Sequence, residues 1–127
     1  MTEVSAEIAR RFPRLRVSED AADRVAYSRD LWPRHHLAVR SGTVGTYSPS
    51  VIVWPETPDE VSELLRFAGP RGIPVVPFGA GSGVCAGVLP TSETIVIDVK
   101  RMAKMRAVDV EGKTVTVEAG YMGVPFE

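Results

Sequence analysis

The sequence predicts an α+β fold, in which a small parallel βαβ sheet flanked by helices is followed by the start of an antiparallel sheet. Two apolar runs on either side of an amphipathic helical pattern are typical of a βαβ unit. A third apolar run follows a glycine-rich stretch. Two segments of alternating apolar and polar residues come next, on either side of residues that favour a turn, which is typical of a hairpin. The 127 residues suffice for one domain and are too few for two well-packed ones.

Residues 1–48 are predicted to form a helical N-terminal segment. Its first helix follows from an apolar stripe with a spacing of four residues, formed by Val4, Ile8 and Phe12. Pro13 ends that helix. Ser18 is the predicted N-cap of a second helix that runs to about Tyr27. No period holds from residue 31 to residue 49, which predicts an extended connection.

Residues 49–127 begin with strong strand and helix signals. The run Val51–Trp54 consists of apolar β-forming residues, as in a strand that is buried on both faces. Thr57 is the predicted N-cap of the following helix, with Glu60 closing a capping box. The next strand is predicted over residues 73–77. Because a helix connects the two strands, we expect them to be parallel.

The last third of the chain is predicted to be mostly β. Residues 94–98 form the third strand, and residues 105–110 and 113–119 form a hairpin around a two-residue turn at Glu111-Gly112. Pro125 is predicted to begin a helix. Because that helix has no body within the sequence, we expect the chain to be the N-terminal piece of something larger.

Composition excludes several classes of protein. A net charge of −1 argues against binding nucleic acid through its phosphates. The single cysteine excludes an internal disulfide and fits a reducing compartment. No apolar run approaches the roughly 20 residues of a transmembrane segment, and the N-terminus has no targeting signal. These observations predict a cytoplasmic protein.

A glycine-rich loop follows the second predicted strand directly. Its glycines are Gly79, Gly81, Gly83 and Gly87. Glycine permits a positive φ and a close approach of the backbone to a ligand, and successive N–H groups converge readily on one anion. A diphosphate is the natural guest, because backbone donors bind it without a lysine. The alternative is a connector that merely turns a corner.

Two common phosphate loops do not fit this stretch. A Walker loop ends in Gly-Lys-Ser or Gly-Lys-Thr, and there is no lysine between Arg71 and Lys100. The Rossmann fingerprint is matched formally over 81–86, with Asp98 as the acid of the next strand. A Rossmann loop opens a crossover helix, however, and residues 84–93 contain Gly and Pro and cannot supply one.

Four stretches of the chain are distinctive when taken together and in this order: residues 49–61, 73–83, 97–102 and 117–120. They resemble the first part of the FAD-binding domain of the vanillyl-alcohol oxidase/PCMH flavoprotein family. Within the family the likeness is greatest to the branch with glycolate oxidase subunit, D-lactate dehydrogenase and alkyldihydroxyacetonephosphate synthase. The resemblance therefore implies a boundary between a helical segment, 1–48, and an FAD-binding part, 49–127.

The resemblance implies that the loop binds the FAD pyrophosphate through backbone amides. The implied cofactor-binding residues are Pro77, Phe78, Gly79, Ala80, Gly81, Ser82, Gly83 and Gly87. Some family members attach FAD through a histidine in this loop. Gly81 stands at that position here, which implies non-covalent FAD.

The implied function is that of an FAD-linked oxidoreductase acting on a 2-hydroxy acid or a similar small substrate. The family's cap domain, its substrate contacts and its catalytic residues have no counterpart in these 127 residues, so the catalytic residues are unknown and the chain alone is expected to be inactive. An alkylglycerone-phosphate synthase is the rival enzyme. A non-catalytic FAD-binding piece, completed by a second subunit or a downstream domain, is the alternative from another class.

Other polar residues allow simpler interpretations. The adjacent pair His35-His36 is interpreted as part of a solvated basic segment, and no metal site is predicted. Cys85 is interpreted as a small loop-packing residue. Asp98 either binds ribose or caps the turn after its strand. Residues 27–30 either end a helix, which we prefer, or pack near the flavin as a similar stretch does in the family.

Overall fold

The computed structural model describes residues 2–43 and 47–123. Its helices are α1 (Glu3–Arg11), α2 (Ala21–Ala26), α3 (Pro33–Arg40) and α4 (Pro58–Ala68). Its strands are β1 (Arg16–Ser18), β2 (Val51–Trp54), β3 (Val75–Phe78), β4 (Ile95–Asp98), β5 (Met105–Asp109) and β6 (Thr114–Val117). The predicted α+β class is confirmed. The helix start predicted at Pro125 lies outside the described residues.

The main sheet has four strands in the order β1-β2-β4-β3. β2 and β3 are parallel to β4, which lies between them, and β1 runs antiparallel to β2 at the edge. β2 and β3 therefore point the same way, as predicted, without being neighbours. Pro77 lies in β3 and has no N–H to give to a neighbour, which suits a strand at the edge of the sheet.

Both faces of the sheet are covered. Every residue of β2 and β4 is buried, so alternate side chains enter two different cores. One core lies under α1 and α4 and contains Ile8, Phe12, Leu15, Val51, Val53, Leu64, Phe67, Ala68, Ile95 and Ile97. The other contains Tyr27, Ile52, Trp54, Phe78 and Val96. The second core adjoins the loop that follows β3.

The N-terminal segment differs from its prediction in three ways. Ser18 is not a helix cap but the last residue of β1, and Asp20 is the N-cap of α2. Arg16 begins β1, and its guanidinium lies 4.3 Å from the centre of the Trp54 ring. The segment predicted as extended contains α3, which Pro33 begins at a position where its missing N–H costs nothing.

The N-terminal segment and the sheet are parts of one packed structure. β1 is hydrogen-bonded to β2, and α1 lies on the core of the sheet. The domain boundary between residues 48 and 49 stays a prediction. No helix in the described ranges is long and apolar enough to cross a membrane.

The predicted hairpin is present with a longer turn. β5 pairs antiparallel with β6, but Asp109 faces Thr114, so four residues connect the strands instead of two. The Asp109 carboxylate accepts the Gly112 N–H at 2.8 Å, and Lys113 takes a positive φ of 51°. This side-chain contact stabilises the wider turn. Residues of β5 are exposed along their whole length.

The capping box of α4 gives a direct test of the fold. The Thr57 side chain accepts the Glu60 N–H at 3.2 Å, and the Glu60 carboxylate accepts the Thr57 N–H at 3.2 Å. We expect Thr57→Ala to lower the free energy of unfolding by about 1 kcal/mol, measured by chemical denaturation. Ser62→Ala, in the middle of the same helix, is the matched control and should be neutral or slightly stabilising. Equal losses in the two variants would contradict the capping role.

Candidate functional site

The glycine-rich loop leaves the sheet at the carboxyl end of β3. Pro77 and Phe78 are the last two residues of the strand, and Gly79 to Gly83 follow without regular structure. Gly87 lies further on, in a turn. In open sheets with parallel strands, ligands bind beyond the carboxyl ends of the strands. Seven of the predicted site residues, 77–83, are therefore contiguous at this edge of the sheet, and Gly87 lies apart from them.

Gly81 has a backbone conformation that requires glycine. Its φ is +65°, and a Cβ atom at this position would come 2.5 Å from Cζ of Phe78. Phe78 is buried against Tyr27, with ring centres 4.7 Å apart, so the ring has little room to move. A side chain at position 81 would therefore strain the backbone and displace the ring beneath it.

The middle of the loop offers backbone donors. Within the described part of the chain, the N–H groups of Ala80, Gly81, Ser82 and Gly83 make no hydrogen bond to protein. Ala80, Ser82 and Gly83 are exposed, and Gly81 is half-buried. A run of unused donors on a loop without bulky side chains is suited to bind an anion.

The start of the loop is held by Lys100. Its ammonium group donates to the Gly79 carbonyl at 3.1 Å and pairs with the Asp98 carboxylate at 2.5 Å. The same ammonium lies 5.0 Å from the centre of the Phe78 ring. Lys100 thus links the start of the loop to the sheet, because its ammonium contacts both the Gly79 carbonyl and the buried Asp98 carboxylate.

Asp98 is a buried structural carboxylate and caps the turn after β4. It is fully buried and accepts hydrogen bonds from the Tyr27 hydroxyl, from Trp54 Nε1 at 3.1 Å and from the Lys100 N–H at 2.8 Å. The capping alternative for Asp98 is therefore the one present in the structure. Burial, together with the hydrogen bond to this carboxylate and its negative charge, raises the pKa of Tyr27 above its usual range.

The end of the loop is held by Asp30. Its Oδ2 atom accepts the Ala86 N–H at 2.8 Å, and the neighbouring Leu31 N–H donates to the Gly83 carbonyl at 2.9 Å. Ala86 takes a positive φ of 64°, which is uncommon for a residue with a side chain. Residues 27–30 therefore end α2, as we preferred, and also contact the glycine loop.

Asp30 itself is buried and fully engaged. Its Oδ1 atom accepts the Trp32 N–H at 3.0 Å and lies 2.7 Å from Nδ1 of His35. Burial alone would raise the pKa of Asp30, but the hydrogen bonds from the Trp32 amide, His35 and the Ala86 amide outweigh it and hold the pKa below its usual range. Asp30 is therefore an ionised carboxylate, and both of its oxygens act only as hydrogen-bond acceptors.

A cleft of about 320 Å³ lies between the loop and α2. Its lining residues are Asp23, Ala26, Tyr27, Arg29, Asp30, Leu31, Phe78, Ala80, Gly81 and Lys100. Arg29 and Lys100 bring two positive charges to this cleft, and Asp23 and Asp30 bring two negative ones, so the charges of the lining balance. The feature that favours an anion is therefore the run of unused loop amides.

Two sequence interpretations are wrong here. His35 is not solvated; it is buried, and its acidic partner Asp30 lies five residues earlier on the chain. Cys85 does not pack in the loop but is exposed. Among residues 2–43 and 47–123, no three His, Cys, Asp or Glu side chains come together as a metal site.

The residues around the loop that the sequence did not reveal are Lys100, Asp30 and His35. Lys100 lies in a turn after a strand, and its contact with Gly79 spans 21 positions. Asp30 and Ala86 are 56 positions apart. The one available signal was the resemblance of residues 27–30 to a stretch that packs near the flavin.

Comparison with known proteins gives a family and several relatives. The family model described as FAD binding domain matches residues 49–126. Glycolate oxidase subunit GlcD of Bacillus subtilis is 30% identical over 101 residues, which are 80% of this chain and 19% of that relative. D-lactate dehydrogenase of Archaeoglobus fulgidus is 37% identical over 70 residues, which are 55% of this chain and 16% of that relative. The chain spans about a fifth of the length of the curated relatives it matches.

A solved structure shares the fold over the whole chain. An alkyldihydroxyacetonephosphate synthase matches with a TM-score of 0.87 and 27% identity, covering 100% of this chain and 24% of that one. The match includes the N-terminal segment as well as the sheet. The α+β arrangement described above is therefore also the arrangement of part of that synthase.

The hydrogen bond between Tyr27 and Asp98 should make the free energy of unfolding depend on pH in the alkaline range. We expect Tyr27→Phe to lower the free energy of unfolding by about 1–3 kcal/mol at neutral pH, because a buried carboxylate loses a donor. The folded chain keeps the Tyr27 proton above its reference pKa of 10.0, whereas the unfolded chain releases it. Stability from this group is therefore lost as the pH rises above about 10, and the difference between wild type and variant should shrink there.

Denaturation with urea at a series of pH values measures this difference. Tyr47→Phe is the matched control, because the Tyr47 side chain is 42% exposed. A difference between wild type and Tyr27→Phe that stays constant up to pH values well above 10 would contradict the assignment.

Proposed function

The chain belongs to the family of FAD binding domains, and from that premise we propose that its glycine loop holds the diphosphate of FAD in the N-terminal part of an FAD-linked oxidoreductase. The observation that carries the proposal is the run of unused backbone donors from Ala80 to Gly83 at the carboxyl end of a parallel strand. Each hydrogen bond from such a donor to a charged oxygen contributes about 1.5–3 kcal/mol.

The backbone of the loop supports the proposal further. Gly81 lets the chain lie directly on the Phe78 ring with a positive φ of +65°, which a residue with a side chain could not do. The Ser82 hydroxyl adds a further donor. In the adjoining cleft the positive charges of Arg29 and Lys100 are balanced by Asp23 and Asp30, so the proposal rests on the loop amides. The proposed cofactor-binding residues are Pro77, Phe78, Gly79, Ala80, Gly81, Ser82, Gly83 and Gly87.

We propose that FAD is held without a covalent bond. Gly81 has no side chain, and within Gly79–Gly83 no residue carries an imidazole or a thiol. Bound FAD would supply the redox chemistry, the capacity to accept a hydride equivalent from a substrate carbon. The part of this chain is to bind the cofactor and to fix its orientation through the loop amides.

The proposed substrate is a 2-hydroxy acid. Two relatives are named for enzymes of such acids, glycolate oxidase and D-lactate dehydrogenase. Every buried titratable side chain among the described residues makes structural hydrogen bonds, and these residues are Tyr27, Asp30, His35, Asp98 and Glu118. We therefore propose that the substrate contacts and the catalytic base come from a downstream region or a second subunit, and that the protein works in the cytoplasm.

A second candidate is an alkylglycerone-phosphate synthase. The observation that favours it is the fold match with a TM-score of 0.87, which extends over the N-terminal segment as well as the sheet. Both candidates use the same proposed FAD loop. They differ in the substrate that is bound outside this loop.

A substitution at Gly81 tests the proposal that the glycine loop binds FAD. We expect Gly81→Val to weaken FAD binding at least about tenfold, because a branched side chain displaces the backbone donors and the Phe78 ring. The measurement is a flavin-fluorescence titration of the purified chain. Gly72→Val is the matched control: its φ of +63° imposes the same backbone strain, but no atom lies within 4 Å of its Cβ position and it is outside the loop.

Two outcomes overturn this assignment. One is an unchanged Kd for Gly81→Val in a variant that still folds. The other is equal weakening by Gly72→Val, which would show that the loss follows from general strain. Absence of saturable FAD binding by the unsubstituted chain would overturn the proposal that these residues form a functional FAD loop on their own.

A second expectation follows from the proposal that this chain binds FAD while other residues bind and oxidise the substrate. When the 127-residue chain is loaded with FAD, its flavin should not be reduced by glycolate or D-lactate, because the residues proposed to bind the acid and take its proton belong to a downstream region or a second subunit. The measurement is the absorbance of bound flavin under anaerobic conditions, with dithionite as the control for complete reduction. Bleaching by either acid would show that these residues carry the dehydrogenation as well.

A further inference from the structure

We propose that Asp30 is a positioning residue that holds the end of the FAD loop in its binding conformation, in concert with His35. The inference rests on the proposed function, since it assigns a role within the same loop. It concerns a residue outside the glycine-rich stretch, on the connection between α2 and α3. Asp30 acts through the Ala86 amide and has no assigned contact with the cofactor.

Contacts from one short segment hold the loop end. Asp30 Oδ2 accepts the Ala86 N–H at 2.8 Å, and Leu31 N–H donates to the Gly83 carbonyl at 2.9 Å. The Cβ position of Gly83 is 3.7 Å from the same Oδ2 atom. The carboxylate therefore lies directly against the last residue of the loop, and its amide contact fixes Ala86 in a positive φ of 64°.

The second oxygen of Asp30 keeps the carboxylate in place. Oδ1 accepts from the Trp32 amide and, because Asp30 is ionised, from the Nδ1–H of His35. The His35 ring is buried, and the Trp32 ring lies edge-on at 5.1 Å between centres. One oxygen thus anchors the carboxylate to the start of α3, and the other faces the loop.

Asparagine at position 30 separates these two roles. It has nearly the same shape but only one acceptor oxygen, so it cannot serve both sides. The side with Trp32 and His35 offers two donors, which favours the oxygen there. The NH₂ group then faces the Ala86 N–H, and two donors meet. Asp30→Asn should therefore free the loop end while α3 remains anchored.

Cys85 provides a site-specific probe of the loop end. It is the only cysteine of the sequence, it is exposed, and it precedes Ala86 directly. A fluorescent label on its thiol reports the mobility of the loop through its anisotropy. This readout does not depend on FAD.

The experiment compares Asp30→Asn with Ile8→Val, a core variant on the opposite face of the sheet. We expect Asp30→Asn to lower the anisotropy of the Cys85 label and to weaken FAD binding about tenfold, with the chain still folded. Ile8→Val should reduce the thermal stability without changing either readout. Unchanged anisotropy and Kd in Asp30→Asn, or equal changes in Ile8→Val, would overturn the positioning role.

Hydrogen exchange of the unsubstituted chain tests the same contact without a variant. The Ala86 amide should exchange slowly in the absence of FAD, whereas the amides of Ala80 to Gly83 should exchange fast and become protected when FAD is added. An Ala86 amide that exchanges as fast as that of Ser82 overturns the role of Asp30. Slow exchange at Ala86 with no FAD-dependent protection at residues 80–83 would instead overturn the proposed function alone.

Discussion

One buried carboxylate connects the parts of this structure. Asp98 ends β4 and accepts from Tyr27 at the end of α2, from Trp54 on β2 and from the turn that follows its own strand. A carboxylate without such partners would be costly to bury. Because Lys100 joins Asp98 to the Gly79 carbonyl, the same group also fixes where the glycine loop begins. The N-terminal segment, the sheet and the loop are thus held in one arrangement.

Local signals in the sequence predicted those elements whose contacts are local. The capping box of α4 involves Thr57 and Glu60, three positions apart, and it was predicted in detail. β1 was missed because three residues are too few to show a period, and its position depends on Trp54. The place of β4 between β2 and β3 depends on the whole sheet. Pro77 is the one local indication of this order, because a strand that contains proline is expected at the edge of a sheet.

The candidate site shows the same limit more clearly. The glycine stretch was evident from composition, and its position after β3 followed from the strand pattern. The residues that hold it were not evident, because an Asp at position 30 gives no sign of a contact with the amide of Ala86. The prediction that His35 is solvated was wrong for the same reason, because its buried partner Asp30 is recognisable only in the folded chain. Long-range contacts of polar groups become visible only in the folded chain.

The two carboxylates have one physical consequence for the loop. Asp98, through Lys100, holds its start, and Asp30 holds its end, while the amides between them remain unused. A loop fixed at both ends loses little further conformational freedom when it binds a ligand, so more of the hydrogen-bond energy appears as affinity. The positive φ of Ala86, which is uncommon for a residue with a side chain, is held by the Asp30 contact. Under the proposed function, affinity for the FAD diphosphate therefore depends on residues outside the glycine stretch as well as on the glycines.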